Sequence, residues 1–376
     1  MKTELALHER TLSLHRYPLR SNEQLQAWDA GDEYLINTVE DMALTSSKRI
    51  LILNDSFGAL SCWFSYQHQV FMMSDSFIAH QATKENLKRN SCNPVTLLRT
   101  LDEIPDDIDL VLMQIPRNNR HLTWILNQLR QSINVKCPVI SVNKAKEIHT
   151  STLQLFEKHL GETKTSLAWK KHRLVHSFAN CESPVAAQEE VTWAVDGEDI
   201  ELANLPNVYS GESLDQGARL LLQHLPSENL QDFIDLGCGN GVLSVKLAKL
   251  NPQATITCID ESFMAIESAK RNLISNLSEE REIHCIANNC LDNIERNSAS
   301  FIVCNPPFHQ QQAITDHIAW QMFCDSKQVL KKGGKLLVIG NRHLGYDNKL
   351  ARLFSNSTVK TVASNKKFVI LQATKN

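Results

Sequence analysis

The sequence predicts an α/β chain made of two tandem, doubly wound sheets related by internal duplication, and three observations carry that reading. Short apolar runs alternate with segments of helical spacing. The chain has 376 residues with 42% hydrophobic content, more than one core usually supports. The two halves also match: the run from Ile50 to Ser61 parallels that from Phe233 to Ser244, placing Gly58 on Gly241 and Leu60-Ser61 on Leu243-Ser244. Ser76-Phe77-Ile78-Ala79, Lys84 and Asn86-Leu87 return as Ser262-Phe263-Met264-Ala265, Lys270 and Asn272-Leu273. Pro116 falls on Pro307, Asn143 on Asn341, Leu155-Phe156 on Leu353-Phe354 and Lys170-Lys171 on Lys366-Lys367, with offsets that drift from 183 to 198.

Residues 1–180 form the first predicted domain and 191–376 the second, joined by a linker at 181–190, because Asn180 to Gln188 is polar and aperiodic. Two alternating runs around Asp196-Gly197 then predict a β-hairpin. Phe233 to Leu236 reads as a short buried strand, and Val242 to Leu250 as a helix stopped by Asn251-Pro252. Ala254 to Ile259 is a strand ended by Asp260-Glu261, after which Ser262 caps a helix to about Asn276. Strands at Ile283 to Ala287 and Ser300 to Cys304 follow, then a helix from Asp316 to Leu330, a Gly333-Gly334 turn and a strand from Lys335 to Ile339. The runs Thr358 to Ala363 and Phe368 to Ala373 close the chain as an antiparallel hairpin at a sheet edge.

Two motifs carry the chemistry. The turn Asp235-Leu236-Gly237-Cys238-Gly239-Asn240-Gly241 follows the first strand of the second half, and by itself suits any nucleotide-binding sheet. Asn305-Pro306-Pro307-Phe308 ends the fourth strand. Its two prolines fix φ and remove two backbone donors, so Asn305 and the Pro306 carbonyl can be held as acceptors, while Phe308 offers a flat wall for a ring. In this order the pair indicates methyl transfer to a planar nitrogen from S-adenosylmethionine. Asp235, Gly237, Gly239, Asn240 and Gly241 are then assigned to the cofactor, with Asp260 (Glu261 second) on the ribose and Asn289 on the adenine. In the first half the corresponding positions are Asn54, Ser56 and Gln114-Ile115-Pro116-Arg117, so that copy keeps the fold and loses both pockets.

Composition excludes several classes. No window approaches a membrane span, and the charged N-terminus, Met1 to Arg10, lacks the apolar core of a secretory signal, which reads as a cytoplasmic protein with monomer as default. The ten cysteines form no Cys-x-x-Cys pair, and His284, Cys285 and Cys290 match no zinc spacing, so neither disulfides nor a metal are expected. Net charge is −3, yet Arg117 to Arg173 holds 11 Lys/Arg against three acids, a basic stretch suited to phosphate.

On these motifs, together with Val208-Tyr209-Ser210, Leu214-Asp215-Gln216-Gly217 and Asn305 to Gln311, the whole chain resembles the bacterial 23S ribosomal RNA guanine-N2 methyltransferases. The resemblance implies two tandem Rossmann-like methyltransferase domains, the N-terminal one degenerate. It also implies methyl transfer from S-adenosylmethionine, leaving S-adenosylhomocysteine, to the N2 amine of a guanosine in 23S ribosomal RNA. Asn305, Pro306, Pro307 and Phe308 would hold the flipped base, with Tyr209, Lys170 and Lys171 on the RNA side and His309 either contacting RNA or filling the turn. The tetrapeptide does not itself separate guanine from a DNA adenine or a protein glutamine. A 16S RNA guanine-N2 enzyme is similar in plan, and a non-catalytic RNA-binding assembly factor is opposed by the intact glycine turn.

Overall fold

A computed structural model describes residues 2–20, 23–180, 190–277, 281–307 and 312–376, with only the backbone at 312–316. The chain forms two compact units, Met1–Glu189 and Glu190–Asn376. Most of the expected linker, 181–189, lies outside the described residues.

The first unit runs β1 (Glu4–Leu7), β2 (Arg10–Ser13), α1 (Ala30–Asp41), β3 (Arg49–Leu53), α2 (Ala59–Phe64), β4 (Gln69–Ser74) and α3 (Phe77–Arg89). It continues through β5 (Thr96–Arg99), β6 (Leu110–Gln114), α4 (Asn119–Ser132), β7 (Pro138–Lys144), α5 (Thr150–His159), β8 (Thr163–Thr165) and β9 (His172–Phe178). The second unit runs β10 (Val191–Ala194), β11 (Glu201–Asn204), α6 (Gln216–Leu222), β12 (Asp232–Leu236), α7 (Val242–Leu250), β13 (Thr255–Asp260) and α8 (Phe263–Asn276). It ends with β14 (Ile283–Ala287), β15 (Ala299–Cys304), α9 (Gln312–Val329), β16 (Leu330–Asn341), α10 (Tyr346–Phe354), β17 (Val359–Ser364) and β18 (Phe368–Thr374).

Each unit carries a seven-stranded sheet of the same plan, β5-β4-β3-β6-β7-β9-β8 and β14-β13-β12-β15-β16-β18-β17. Five strands are parallel and the last two run antiparallel to their neighbours. Parallel strands must be covered on both faces. In the second unit, Phe301, Val303, Leu337, Ile339 and Ile370 pack under one layer with Ala218, Leu221 and Val245. Ile302, Cys304, Leu336, Val338 and Leu371 pack under the other with Phe323, Tyr346 and Leu350.

Strand register makes the duplication exact in space and corrects one sequence pairing. Leu53 lies abreast of Met113 and Leu236 abreast of Cys304, so Gln114 is the twin of Asn305. Lys144 faces His172 as Asn341 faces Phe368, so the twin of Asn341 is Lys144 and not Asn143. A one-residue slip reverses the face on which a side chain lies, so the difference has consequences for the site. Two further expectations are corrected. Gly333-Gly334 does not separate a helix from a strand; it lies inside β16, beside the register shift between Ala299 and Phe301. The helix after β15 begins at Gln312, four residues before the expected Asp316.

One glycine in the second unit is fixed by packing. A Cβ on Gly340 would lie 2.5 Å from Cδ2 of Tyr346, whose ring is buried edge-on against Phe323. Replacing Gly340 with Ala is therefore expected to destabilise the second unit by about 1–3 kcal/mol through overpacking, read from the shift of its unfolding midpoint in urea.

Candidate active site

Parallel strands deliver their carboxyl ends to one edge, and the sheet order reverses there between β12 and β15. The glycine turn leaves β12 at that edge. Gly237, Gly239 and Gly241 all have positive φ, at 75°, 53° and 78°. The backbone demands this of each, while their surroundings differ. A Cβ on Gly241 would meet Cα of Ala269 at 3.0 Å, so this glycine lets α7 and α8 close together. A Cβ on Gly239 would meet nothing within 4 Å, so the turn presents bare backbone to open space, as a ligand lying against it requires.

The acidic residues divide their work. Asp260, ending β13, accepts from Gly239 N at 2.9 Å through Oδ2 and from Ser262 N at 3.0 Å through Oδ1. The Glu261 backbone also donates to this carboxylate, and of its roughly four acceptor positions three are then taken, so it can pin the turn and still accept a ribose hydroxyl. Burial raises its pKa, offset by those backbone donors. Glu261 beside it is exposed. Asn289 is 3% exposed and donates through Nδ2 to Asp292 Oδ2 at 2.7 Å, which turns its carbonyl oxygen away from Asp292.

Two of the expected cofactor residues have buried side chains engaged within the protein. Asp235 is fully buried beneath the turn, where Oδ2 accepts from Ser244 N at 3.1 Å and Ser244 Oγ at 2.6 Å. It therefore holds the start of α7. Asn240 points inward, donating to Asn204 Oδ1 at 2.9 Å and accepting from Val242 N at 3.2 Å. Its backbone carbonyl is likewise turned inward, accepting from Asn272 Nδ2 at 2.9 Å.

At the end of β15, Asn305 donates through Nδ2 to Asp215 Oδ2 at 3.4 Å. A carboxylate only accepts, so this contact fixes which end of the amide faces it. Oδ1 is thereby turned away, and it is buried without a hydrogen-bond partner. Asp215 is itself held: it caps α6 by accepting from Ala218 N at 2.9 Å and accepts from the Tyr209 hydroxyl at 3.1 Å. Partial burial and the Asp215 charge push the Tyr209 phenol up to about 12, so it remains a donor at neutral pH. Gly217 allows the close approach, since a Cβ there would lie 2.9 Å from Asp215 Oδ2 and 3.6 Å from Asn305 Oδ1. Asp215 went unassigned in the sequence, although its twin signals it: Asp29 caps α1 two residues before Gly31, as Asp215 does before Gly217. Pro306 is buried and Pro307 exposed, while Phe308 and His309 lie outside the described residues.

The same edge of the first unit is closed by its own side chains. Asn54 keeps the positive φ of Gly237, at 63°, and donates to the Gln114 carbonyl at 3.1 Å. Ser56 Oγ donates to Gln114 Oε1 at 3.1 Å, and Gln114 Nε2 donates to Asp32. Asp55 fills the turn, accepting from Gly58 N at 3.0 Å and from both Ser61 N and Oγ at 2.8 Å. By strand register Ser74 stands where Asp260 does and Leu101 where Asn289 does. Ile115 N continues the ladder to Val142 O at 3.0 Å, a bond that Pro306 has no N–H to make.

The lysines and arginines of the basic stretch differ in their surroundings. Lys170 pairs with Glu33 at 2.7 Å and lies over the Trp169 ring, so its charge is compensated within the unit. Lys171 is exposed, as are Arg117 beyond β6 and Lys144 at the end of β7. These three cluster at the carboxyl edge of the first sheet, because β9 starts where β7 ends. Among the described residues no group of three or more His, Cys, Asp or Glu can hold a metal, and no helix is long and apolar enough to cross a membrane.

Comparison with known proteins gives two family matches, the RLMG N-terminal domain over residues 2–182 and the methyltransferase small domain over 199–372. The chain is 67% identical to the ribosomal RNA large subunit methyltransferase G of Vibrio cholerae El Tor Inaba, over all of both chains. It is 66% identical to that of Vibrio campbellii, covering all of this chain and 98% of the other, and 65% identical to that of Aliivibrio fischeri MJ11, covering 100% and 99%. The fold is similar across 100% of this chain, and 98% of the other, to a T. thermophilus 16S rRNA N2 methyltransferase (RsmC) solved with AdoMet and guanosine, at TM-score 0.78 and 18% identity.

Burial raises Asp235 from 3.8 to about 7, with Asp260 adding to the shift and the Ser244 donors opposing it. A carboxyl whose pKa is higher folded than unfolded contributes its full stability below the unfolded value and loses it as pH rises through the folded one. Between about pH 4 and pH 7 the second unit should therefore lose stability through this group, and Asp235→Asn should flatten that slope in urea unfolding curves taken across the range. An unchanged slope in the variant contradicts the assignment.

Proposed function

The chain belongs to the ribosomal RNA large subunit methyltransferase G family, and on that premise we propose that its second unit methylates the exocyclic N2 amine of a guanosine in 23S ribosomal RNA. The observation that carries the reading is the buried, unpartnered Oδ1 of Asn305 at the end of β15, with its amide nitrogen anchored on Asp215. A base amine has two N–H bonds to give. Asn305 Oδ1 accepts one and the Pro306 carbonyl the other, which favours a pyramidal nitrogen whose lone pair is localised and no longer delocalised into the ring. Asp215, held by Tyr209, keeps the amide from rotating.

The open backbone at Gly239, the Asp260 carboxylate and Asn289 are the residues fitted to hold S-adenosylmethionine. When bound, it would supply an electrophilic methyl on a sulfonium, so that an N–C bond would form as the S–C bond broke, with S-adenosylhomocysteine as the leaving group and one amine proton passing to solvent. No general base is needed at the nitrogen. Phe308 replaces lost base stacking once the target is unstacked.

The first unit is the RNA-capturing half, through Arg117, Lys144 and Lys171, and has no cofactor site of its own. The protein acts in the cytoplasm as a monomer.

The test is transfer of labelled methyl groups from S-adenosylmethionine to purified 23S RNA, 16S RNA, DNA and ribosomal proteins. Label is expected as N2-methylguanosine in 23S RNA; label in 16S RNA, DNA or protein overturns the reading. In the same assay Asn305→Ala should lower turnover by a factor on the order of 10² to 10³, the loss of one oriented acceptor, with cofactor affinity nearly unchanged. Asp215→Ala, which frees the amide to rotate, should lower turnover less. A separate measurement addresses the first unit. Removing the charges of Arg117, Lys144 and Lys171 together should weaken RNA binding and reduce the slope of log affinity against log salt by roughly 0.7 to 0.9 for each phosphate no longer neutralised. An unaltered slope would show that RNA is held elsewhere.

A further inference from the structure

A second orphan acceptor lies beside the first. Among the described residues of the second unit, the buried side-chain atoms without a hydrogen-bond partner are Asp235 Oδ1, Asn305 Oδ1 and Asn341 Oδ1. Asp235 lies beneath the glycine turn. The other two share one face of the sheet at its carboxyl edge. Cys304 is abreast of Val338, which puts Asn305 abreast of Ile339, and Asn341 is two residues further along β16 on the same side as Ile339. Asn341 is 8% exposed and lies directly opposite Phe368, whose ring reaches within 3.6 Å of a Cβ built on Gly217, as Asn305 Oδ1 does. The two asparagines are thus diagonal neighbours around Gly217 and Phe368, within the reach of one bound ring.

A buried carbonyl oxygen left without a donor costs about as much as a lost hydrogen bond, so two on one face mark a place where donors arrive with a ligand. The chemistry of the base says which donor the second one takes. On the pairing edge of guanine the N2 amine is flanked by N1–H, a donor, whereas the N1 of adenine is an acceptor with no hydrogen. The first unit supplies the contrast. At the twin position of Asn341 it carries Lys144, an exposed cation that cannot accept.

We propose that Asn341 is a specificity-determining residue: its Oδ1 accepts the N1–H of the target base while Asn305 takes the neighbouring amine, so that the site admits guanine and rejects adenine. The proposal rests on the guanine reading above and deepens it. An adenine placed in the same orientation offers neither an N1–H to Asn341 nor an amine to Asn305. An acceptor pair of this kind also explains why Asn305-Pro306-Pro307, which alone suits any planar amine, is directed to guanine.

Nucleosides separate the two contacts. Inosine keeps N1–H and lacks the amine; 2-aminopurine riboside keeps the amine and has no hydrogen on N1. The full chain, saturated with S-adenosylhomocysteine, is titrated calorimetrically with guanosine, inosine, 2-aminopurine riboside and adenosine. The unsubstituted chain should prefer guanosine over 2-aminopurine riboside by a factor on the order of ten. Asn341→Leu, close in shape but without an acceptor, should bring that ratio near one while guanosine is still preferred over inosine. Asn341→Asp, which retains an acceptor oxygen, should restore the preference. Asn305→Ala should do the reverse, erasing the guanosine preference over inosine and sparing that over 2-aminopurine riboside. A guanosine to 2-aminopurine riboside ratio that survives Asn341→Leu assigns the discrimination to O6 and overturns the inference, as does a ratio of one in the unsubstituted chain. A chain that binds guanosine no better than adenosine instead overturns the guanine reading itself.

Discussion

Everything at the working edge of this protein depends on hydrogen-bond acceptors that the fold buries and leaves unmatched. Leaving a buried polar group unpaired costs roughly 1–3 kcal/mol, a large share of a domain's net stability of about 5–15 kcal/mol. The second unit tolerates Asp235 Oδ1, Asn305 Oδ1 and Asn341 Oδ1 in that state, all at or beneath the carboxyl ends of its strands. Its cores are otherwise well satisfied: Asp260, Asn289, Asn240 and Asn272 all find partners. Asn305 Oδ1 and Asn341 Oδ1 share one face at that edge, where donors from a ligand can reach them.

The duplicated unit treats the twin of the Asn305 position differently. Gln114, the twin of Asn305, spends its carbonyl, its amide oxygen and its amide nitrogen on Asn54, Ser56 and Asp32. Asp55 accepts three bonds inside the turn, where Asp235 leaves one oxygen empty. The side chains that replaced glycine at Asn54 and Ser56 have become members of a polar network across the old pocket. These groups of the first copy thus pair with one another, and its sheet keeps the same strand order without the same chemistry.

The first copy carries more positive charge at this edge than the second. Where the second unit has Phe308, Asn341 and Lys367, the first has Arg117, Lys144 and Lys171. Cations at a sheet edge bind phosphate without regard to sequence, whereas acceptors and a ring read the base. Lys170, exposed like Lys171, differs from it in pairing with Glu33.

The order of strands and helices, the duplication, the glycine turn and the Asn-Pro-Pro turn were legible in the chain by itself. Each follows from local rules, since apolar period, capping serines and proline geometry act within a few residues. The bounds of α7, α8 and β14 coincide with the spans their residues predict, and the closing hairpin lies at the sheet edge as its alternation implies. Direction and register were not legible. That Asp235 and Asn240 turn inward, that Lys170 meets Glu33, and that Lys144, one residue from the Asn143 chosen by identity, is the twin of Asn341 all depend on which face a side chain takes against strands far away in sequence. Asp215 is the sharpest case, for its place beside Asn305 spans ninety residues and is set by the packing of α6 on the sheet. Residue types and their local spacing name the chemistry available; only the tertiary structure decides which of those groups are satisfied by one another and which are left for a ligand.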